Sequence, residues 1–306
     1  MSGNVRVICG PTAAGKTAAA MQLAAQHPVT IISADSRQIY RRFDIGTAKP
    51  SVAELTAVPH VGVDVADPME RWSAWQWAAM ARDAIAHATA QRRIPVVVGG
   101  TGFYLRALTE PLAALPPLDE ARRDALNAWL DTQPRELWRA WCDRLDPDRA
   151  ALGPVQWRRA IETALLTGVR LSALHTQPSD APRLRVRYLL VDPGVPLAER
   201  IAQRVLHMLD AGWADEVERL RFDVPADARA WLATGYGEVL AYVEGKLSKA
   251  EMTSRVIIRT RQYAKRQRTW FRHQLDNALV TKVSPGEQGF MDQVNAWWRV
   301  HDEEMV

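Results

Sequence analysis

Only two cysteines occur in the 306 residues, Cys9 and Cys142, far apart in the chain. That excludes a disulfide framework and a cysteine-based zinc site. The seven histidines show no metal-ligand spacing. Ser172 and His175 stand outside any nucleophile-elbow context and read as structural. No apolar run approaches the length of a membrane span, and the first residues pass directly into an apolar strand. Neither a membrane anchor nor a secretory leader is therefore expected, and the chain reads as cytosolic. There is no internal repeat and no low-complexity tract. With 47% hydrophobic and 24% charged residues, the composition suits a globular protein of two domains, or of one domain with an insertion.

What is present begins near the N-terminus. The run Val5-Arg6-Val7-Ile8-Cys9 leads into Gly10-Pro11-Thr12-Ala13-Ala14-Gly15-Lys16-Thr17, and an Ala-rich stretch free of Gly and Pro follows. This is G-x-x-x-x-G-K-T in a strand–loop–helix context. Its glycines let the backbone curl so that N–H groups converge on a phosphate, helped by the positive end of the helix. Lys16 adds a mobile cation, and the Thr17 hydroxyl stands where it can ligate Mg²⁺. The sequence calls for a ligand carrying a di- or triphosphate.

Strands and helices alternate through the first part of the chain. Residues 29–33 form a short strand ending in Ala34-Asp35-Ser36, and residues 60–65 form another. Residues 72–92 carry a helical apolar period (Trp77, Ala81, Ala84, Ile85, Ala88), and Ile94-Pro95-Val96-Val97-Val98 is a buried strand closed by Gly99-Gly100-Thr101-Gly102. From about Leu112 the character changes. Pro111, Pro116 and Pro117 mark a break, and residues 118–176 are continuously helical in pattern and Trp-rich. The sheet resumes at residues 185–191. A helix over 197–211, a helical region with Gly235-Tyr236-Gly237-Glu238, a basic helix, a strand over 279–283 and a helix ending near His301 complete the chain. This predicts an α/β fold: a P-loop NTPase-like parallel sheet flanked by helices, with an all-helical insertion domain. The domains are 1–114 (first part of the core), 115–180 (insertion) and 181–306 (core completion). Ligands of such sheets collect at the C-terminal strand ends, so the phosphate loop, Asp35 and Thr101 should share one cleft.

Several residues admit two readings. Asp35 is a metal ligand or general base, or else a helix N-cap. Thr101 donates to a ligand or caps the next helix. Arg200 and Arg204, one turn apart, fit a solvated helix face. The strand ending in Gly99-Gly100 lacks the acid that holds Mg²⁺ and positions water in nucleotide hydrolases, and Asp64 is a weak substitute. Between Met252 and Leu275 there are seven Arg or Lys and no acid, with Arg261, Lys265, Arg268 and Arg272 on one stripe. Solvated faces mix signs, so this stripe points to phosphate or nucleic acid.

Together these stretches resemble the bacterial tRNA dimethylallyltransferases, or tRNA isopentenyltransferases. The resemblance rests on the phosphate loop, Ser33-Ala34-Asp35-Ser36-Arg37-Gln38-Ile39-Tyr40, Asp44-Ile45-Gly46-Thr47-Ala48-Lys49-Pro50, Val98-Gly99-Gly100-Thr101-Gly102-Phe103-Tyr104, Arg159-Ala160-Ile161-Glu162, and the run from Thr260 to Phe271 that contains Arg261-Gln262-Tyr263-Ala264-Lys265-Arg266-Gln267. It implies that residues Gly10, Pro11, Thr12, Ala13, Ala14, Gly15, Lys16 and Thr17 hold the diphosphate of dimethylallyl diphosphate, with Arg204 as its arginine. The prenyl group would pass to the exocyclic N6 of the adenosine 3′ of the anticodon, in tRNAs reading codons that begin with U, with release of diphosphate. The resemblance assigns the general base to Asp35 and a substrate contact to Thr101, and implies Mg²⁺ as cofactor. Contacts to the tRNA anticodon stem-loop fall on Asp35, Ser36, Arg37 and Gln38, on Val155, Gln156, Trp157, Arg158 and Arg159, and near Arg123, with the insertion clasping the RNA. The basic stripe adds Arg268 and Arg272 as phosphate contacts. The implied enzyme is a cytoplasmic monomer with no membrane attachment. The chain departs from the family pattern at Gly153, Gln156 and Gly237. A small-molecule or nucleoside kinase would share the phosphate loop but needs neither the basic helix nor the insertion, and an RNA-binding NTPase switch would need a base-reading motif that the chain lacks.

Overall fold

A computed structural model describes residues 4–110, 118–176 and 184–300. It divides into two compact units, one formed by Met1–Glu110 with Arg183–Val306 and the other by Pro111–Pro182. The first unit begins β1 (Asn4–Cys9), α1 (Lys16–Ala24), β2 (Val29–Ala34), α2 (Val52–Ala57), β3 (His60–Val61), α3 (Ala74–Ala90), β4 (Ile94–Gly99) and α4 (Gly102–Thr109). The second unit holds α5 (Glu120–Asp131), α6 (Arg135–Leu145), α7 (Pro154–Thr167) and α8 (Leu171–Thr176). The first resumes with β5 (Arg185–Val191), α9 (Leu197–Asp210), α10 (Trp213–Asp223), α11 (Tyr236–Val243), α12 (Lys249–Gln274), β6 (Val280–Val283) and α13 (Phe290–Arg299). Among the described residues no helix is long and apolar enough to cross a membrane.

The sheet is parallel throughout, in the order β3-β2-β4-β1-β5-β6. Its central strands are apolar on both faces, as strands covered by helices on both sides must be: Val5, Val7, Ile8 and Cys9 of β1 are fully buried. One face packs against α1 and α13 through Ile8, Leu23, Val96, Leu189, Val294 and Trp297. On the other, Trp77 of α3 donates to the Ser33 carbonyl at 2.8 Å and stacks on Tyr104 of α4 at 4.7 Å. Register decides where the connecting loops meet. Cys9 lies opposite Gly99 and Leu190, and Ala34 opposite Gly99, so the loops after β1, β2, β4 and β5 leave the sheet at one level.

A second core joins α9, α10, α11 and α12 to the segment after β2, around Phe43, Trp213, Tyr236 and Val256. Its polar centre is Glu216. This buried carboxylate accepts the Asp44 and Ile45 backbone N–H groups at 3.0 and 2.7 Å and the Tyr236 hydroxyl at 2.6 Å. Burial and Glu216 together push the Tyr236 phenol far above its ordinary pKa. Gly46 is required here, because an added Cβ would lie 2.2 Å from Trp213 Nε1.

Several sequence expectations change in detail. The strand expected over 60–65 stops at Val61, because Gly62 and Asp64 take left-handed φ of 85° and 55°. Asp64 forms an ion pair with Lys49 and lies outside the cleft-lining residues. No helix follows Asp35, which removes the helix-cap reading; its carboxylate instead accepts the Arg37 N–H in a turn. The stretch over 118–176 is four helices. Pro111, Pro116, Pro117 and His301 lie outside the described residues.

The Glu216 network gives a test. In Glu216→Gln an amide NH₂ replaces an acceptor, so at least one buried donor is left unpaired, at a cost of about 1–3 kcal/mol. A fall of that size in urea-unfolding free energy is expected, with an unchanged m-value.

Candidate active site

The phosphate loop closes over the end of β1 by alternating backbone hands. Ala13 and Gly15 have φ of 61° and 100°, and Gly10 has φ of 147° with room for no Cβ, since one would lie 2.1 Å from the Val191 carbonyl oxygen. Such a curl aims N–H groups at one point. Lys16 folds back over the loop and donates to the Pro11 carbonyl at 2.7 Å. Burial first, and then Arg204, lower its pKa to about 8 against the opposing charge of Asp35. The Arg204 pKa is likewise lowered by burial, with Asp35 acting the other way. Lys16 and Arg204 therefore face Asp35 in the cleft, with Arg37 also in its lining, so positive charge is in excess. Thr17, the second residue of α1, is exposed.

Asp35 sits on the loop after β2, held by its bond from the Arg37 N–H at 2.9 Å. Thr101, from the loop after β4, accepts the Ser36 N–H at 3.0 Å and is hydrogen-bonded to Tyr263 of α12. Burial and Asp35 raise the Tyr263 phenol well above its usual range. Gln38 turns inward, accepting from Ser33 Oγ at 3.0 Å and donating to the Ala48 carbonyl at 2.9 Å. A cavity of about 70 Å³ runs from Thr12, Asp35, Arg37, Arg204 and Tyr263 to an apolar wall of Ile201, Val205, Met208, Trp213 and Val256. The loop, Lys16, Asp35, Thr101 and Arg204 are thus brought together.

Three residues at this cleft had no role assigned from the sequence. Arg200 donates to the Ala13 carbonyl at 3.2 Å, so its spacing to Arg204 marks two residues on the phosphate loop rather than a solvated face. Tyr263 lines the cavity. Gln267 accepts the Thr12 N–H at 2.8 Å and donates to the Gly100 carbonyl at 2.8 Å. These bonds span sequence separations that no local pattern reports.

The remaining candidates lie elsewhere. Arg268 pairs with Asp192 and donates to the Gly194 carbonyl at 2.7 Å, so its charge is engaged within the protein. Arg261, Lys265, Arg268, Arg272 and Lys282 line a groove of about 900 Å³ floored by Leu197, Ala264 and Phe271. In the helical unit, Glu162 is buried and takes Arg123 at 2.9 Å, Asn127 at 2.7 Å and Arg159 at 3.5 Å. Burial and Arg123 lower the Arg159 pKa. Arg158 pairs with Asp131 and lies over the Trp138 ring at 4.5 Å. Trp157 donates to the Ala150 carbonyl at 3.1 Å, while Val155 and Gln156 are exposed.

The IPP transferase family model matches residues 38–274, and an isopentenyl transferase model matches residues 3–65. A tRNA dimethylallyltransferase of Synechococcus sp. (strain JA-3-3Ab) is 42% identical over 275 residues, covering 87% of this chain and 78% of its own. That of Cupriavidus necator is 40% identical over 304 residues, 94% of each chain. The crystal structure of the full-length tRNA isopentenylpyrophosphate transferase from Bacillus halodurans superposes with a TM-score of 0.67 at 31% identity, over 96% of this chain and 95% of that one. A eukaryotic dimethylallyltransferase acting on tRNA gives 0.77 at 27%, over 92% and 74%.

Lys16 supplies a pH test. Its folded pKa lies below the ordinary lysine value, so the cation is present below about 8 and lost as pH rises through it. Inorganic diphosphate should bind the free protein less tightly above that pH. Lys16→Arg should abolish this fall, and it controls for the ligand's own titration because arginine stays charged. Equal pH profiles for wild type and variant in calorimetric titration would remove Lys16 from the anion site. The same shift makes the ligand-free fold gain stability between about 8 and 10.5, where only the unfolded lysine holds its proton.

Proposed function

This chain belongs to the IPP transferase family, and we propose that it transfers the dimethylallyl group of dimethylallyl diphosphate to tRNA. The acceptor is the exocyclic N6 of the adenosine 3′ of the anticodon, in tRNAs reading codons that begin with U. One observation carries the reading: Thr12 of the phosphate loop, Asp35 and Arg204 line one cavity with an apolar wall, and Lys16 lies close enough to feel the charges of both Asp35 and Arg204.

In the reaction the C1–O bond of the donor breaks and its electron pair leaves with the diphosphate. The loop N–H groups, Lys16 and Arg204 stabilise that growing negative charge. The apolar wall suits the five-carbon group and keeps water from the allylic carbon. The N6 lone pair, weakened by delocalisation into the ring, forms the new N–C bond while Asp35 accepts the N6 proton. Thr101, tied to Ser36 and Tyr263, holds the loop that carries Asp35. To reach the cavity the adenosine must leave the loop stack.

Mg²⁺ fits as a cofactor in one way. Among the described residues no three His, Cys, Asp or Glu cluster as a metal site, so Thr17 and the donor's own phosphate oxygens would hold the ion, which when bound would neutralise charge on the leaving diphosphate. In the helical unit, Arg123, Arg158, Arg159, Trp157 and the exposed turn at Val155 and Gln156 are proposed to contact the anticodon stem-loop, with Glu162 orienting two of the arginines. Arg272 is proposed to add a phosphate contact from α12, where Arg268 is instead held by Asp192 and the Gly194 carbonyl. The enzyme is proposed to act as a cytoplasmic monomer.

Incubation with unmodified tRNA and dimethylallyl diphosphate should add one C₅H₈ unit to adenosine, read by nucleoside mass spectrometry. ATP should not replace the donor, and phosphorylation of a nucleoside or small molecule would identify a kinase instead. Asp35→Asn should retain donor binding while slowing transfer by roughly 10²–10⁴-fold; near wild-type turnover would remove Asp35 as the base. RNA binding should also weaken with salt, with Arg272→Ala flattening the slope of log K against log salt by about one unit and affecting all tRNAs alike.

A further inference from the structure

Three residues on one inward face of α12, at spacings of one helical turn, reach the loops at the end of the sheet. Tyr263 bonds Thr101. Trp270 packs on Gly102, where an added Cβ would lie 2.2 Å from its ring. Between them Gln267 enters the cleft almost fully buried, 6% exposed. Its Oε1 accepts the Thr12 N–H and its Nε2 donates to the Gly100 carbonyl, both at 2.8 Å. Since Thr12 offers only a donor and Gly100 only an acceptor here, one orientation of the amide satisfies both. The close approach needs Gly100, because a Cβ there would lie 2.3 Å from Gln267 Nε2.

The two residues bridged in this way belong to opposite halves of the reaction. Thr12 is on the loop proposed to cradle the diphosphate. Gly100 precedes Thr101, which holds the Ser36 N–H beside Asp35. We infer that Gln267 is a positioning residue that fixes the separation between the donor's diphosphate cradle and the loop pair carrying the base. It touches neither substrate. Its amide is a strut between the loops that follow β1 and β4. A strut of this kind acts on kcat, because reacting atoms misplaced by about 1 Å lose on the order of 10²-fold in rate. This rests on the prenyl-transfer reading of the cleft.

Gln267→Met tests it, since methionine keeps the length and fills the space but makes neither bond. Expected is a kcat lower by roughly 10- to 10²-fold, with the donor KM, inorganic diphosphate affinity and tRNA Kd close to wild type. Gln267→Glu keeps the acceptor for Thr12 but loses the donor to Gly100 and sets a negative charge beside the cradle. It should therefore also raise donor KM and weaken diphosphate binding. Gly100→Ala strains the same strut from the other side, and it serves if the Gln267 variants fail to fold. Its kcat loss should be non-additive with that of Gln267→Met. A folded Gln267→Met or Gly100→Ala enzyme with kcat within about twofold of wild type would overturn the inference. If wild type itself makes no prenylated adenosine, the functional reading fails instead.

Discussion

The cleft depends on one electrostatic arrangement: the desolvated cations Lys16 and Arg204 set against the half-buried carboxylate of Asp35. Burial weakens the hold of both cations on their protons, and Asp35 only partly restores it. Lys16 donates to the Pro11 carbonyl of its own loop. Arg37 in the cavity lining and Arg200 on the phosphate loop add to the positive charge at this end of the sheet. In the proposed reaction a diphosphate meets this charge, and its departure as a leaving group increases the negative charge the cations face. The same arrangement keeps a carboxylate close to the phosphate loop, where an anionic donor alone would disfavour one. Asp35 serves the acceptor in the proposed reaction, and the cations serve the donor.

This arrangement is possible because the parallel sheet ends its central strands at one level, so that four loops converge. Glycine makes the convergence close. Gly99 faces the Ala34 carbonyl at a distance that leaves no room for a Cβ, and Gly100 admits the Gln267 amide. The long helix α12 then crosses the convergence, and its inward face bolts the loops together while its outward stripe stays basic. Arg268 shows that the stripe is not uniform, since it secures the loop after β5 through Asp192 and Gly194.

What was legible in the sequence was local or periodic. Residues 10–17 announce a phosphate loop because strand, glycines, lysine and helix are contiguous. The parallel sheet was legible because its strands are apolar on both faces, and the shared cleft came from strand ends that each run into a loop. What stayed hidden was tertiary. Gln267 meets Thr12 across a separation of 255 residues, and Arg268 meets Asp192 across 76. The spacing of Arg200 and Arg204 was visible, but only the packing of α9 against the loop separates a site from a solvated face. The shortness of β3 reflects backbone hand at Gly62 and Asp64, residue types that take positive φ more readily than most but not at every position.

The central claim is that the phosphate loop holds a leaving diphosphate while carbon, not phosphorus, is attacked. Dimethylallyl diphosphate labelled with oxygen-18 at the bridging position tests it directly, with unmodified tRNA as acceptor and phosphorus NMR as the readout. All label should stay in the released diphosphate, one diphosphate per prenylated adenosine, with no orthophosphate. Label in dimethylallyl alcohol, or orthophosphate as the phosphorus product, would mean cleavage at phosphorus and would contradict the claim.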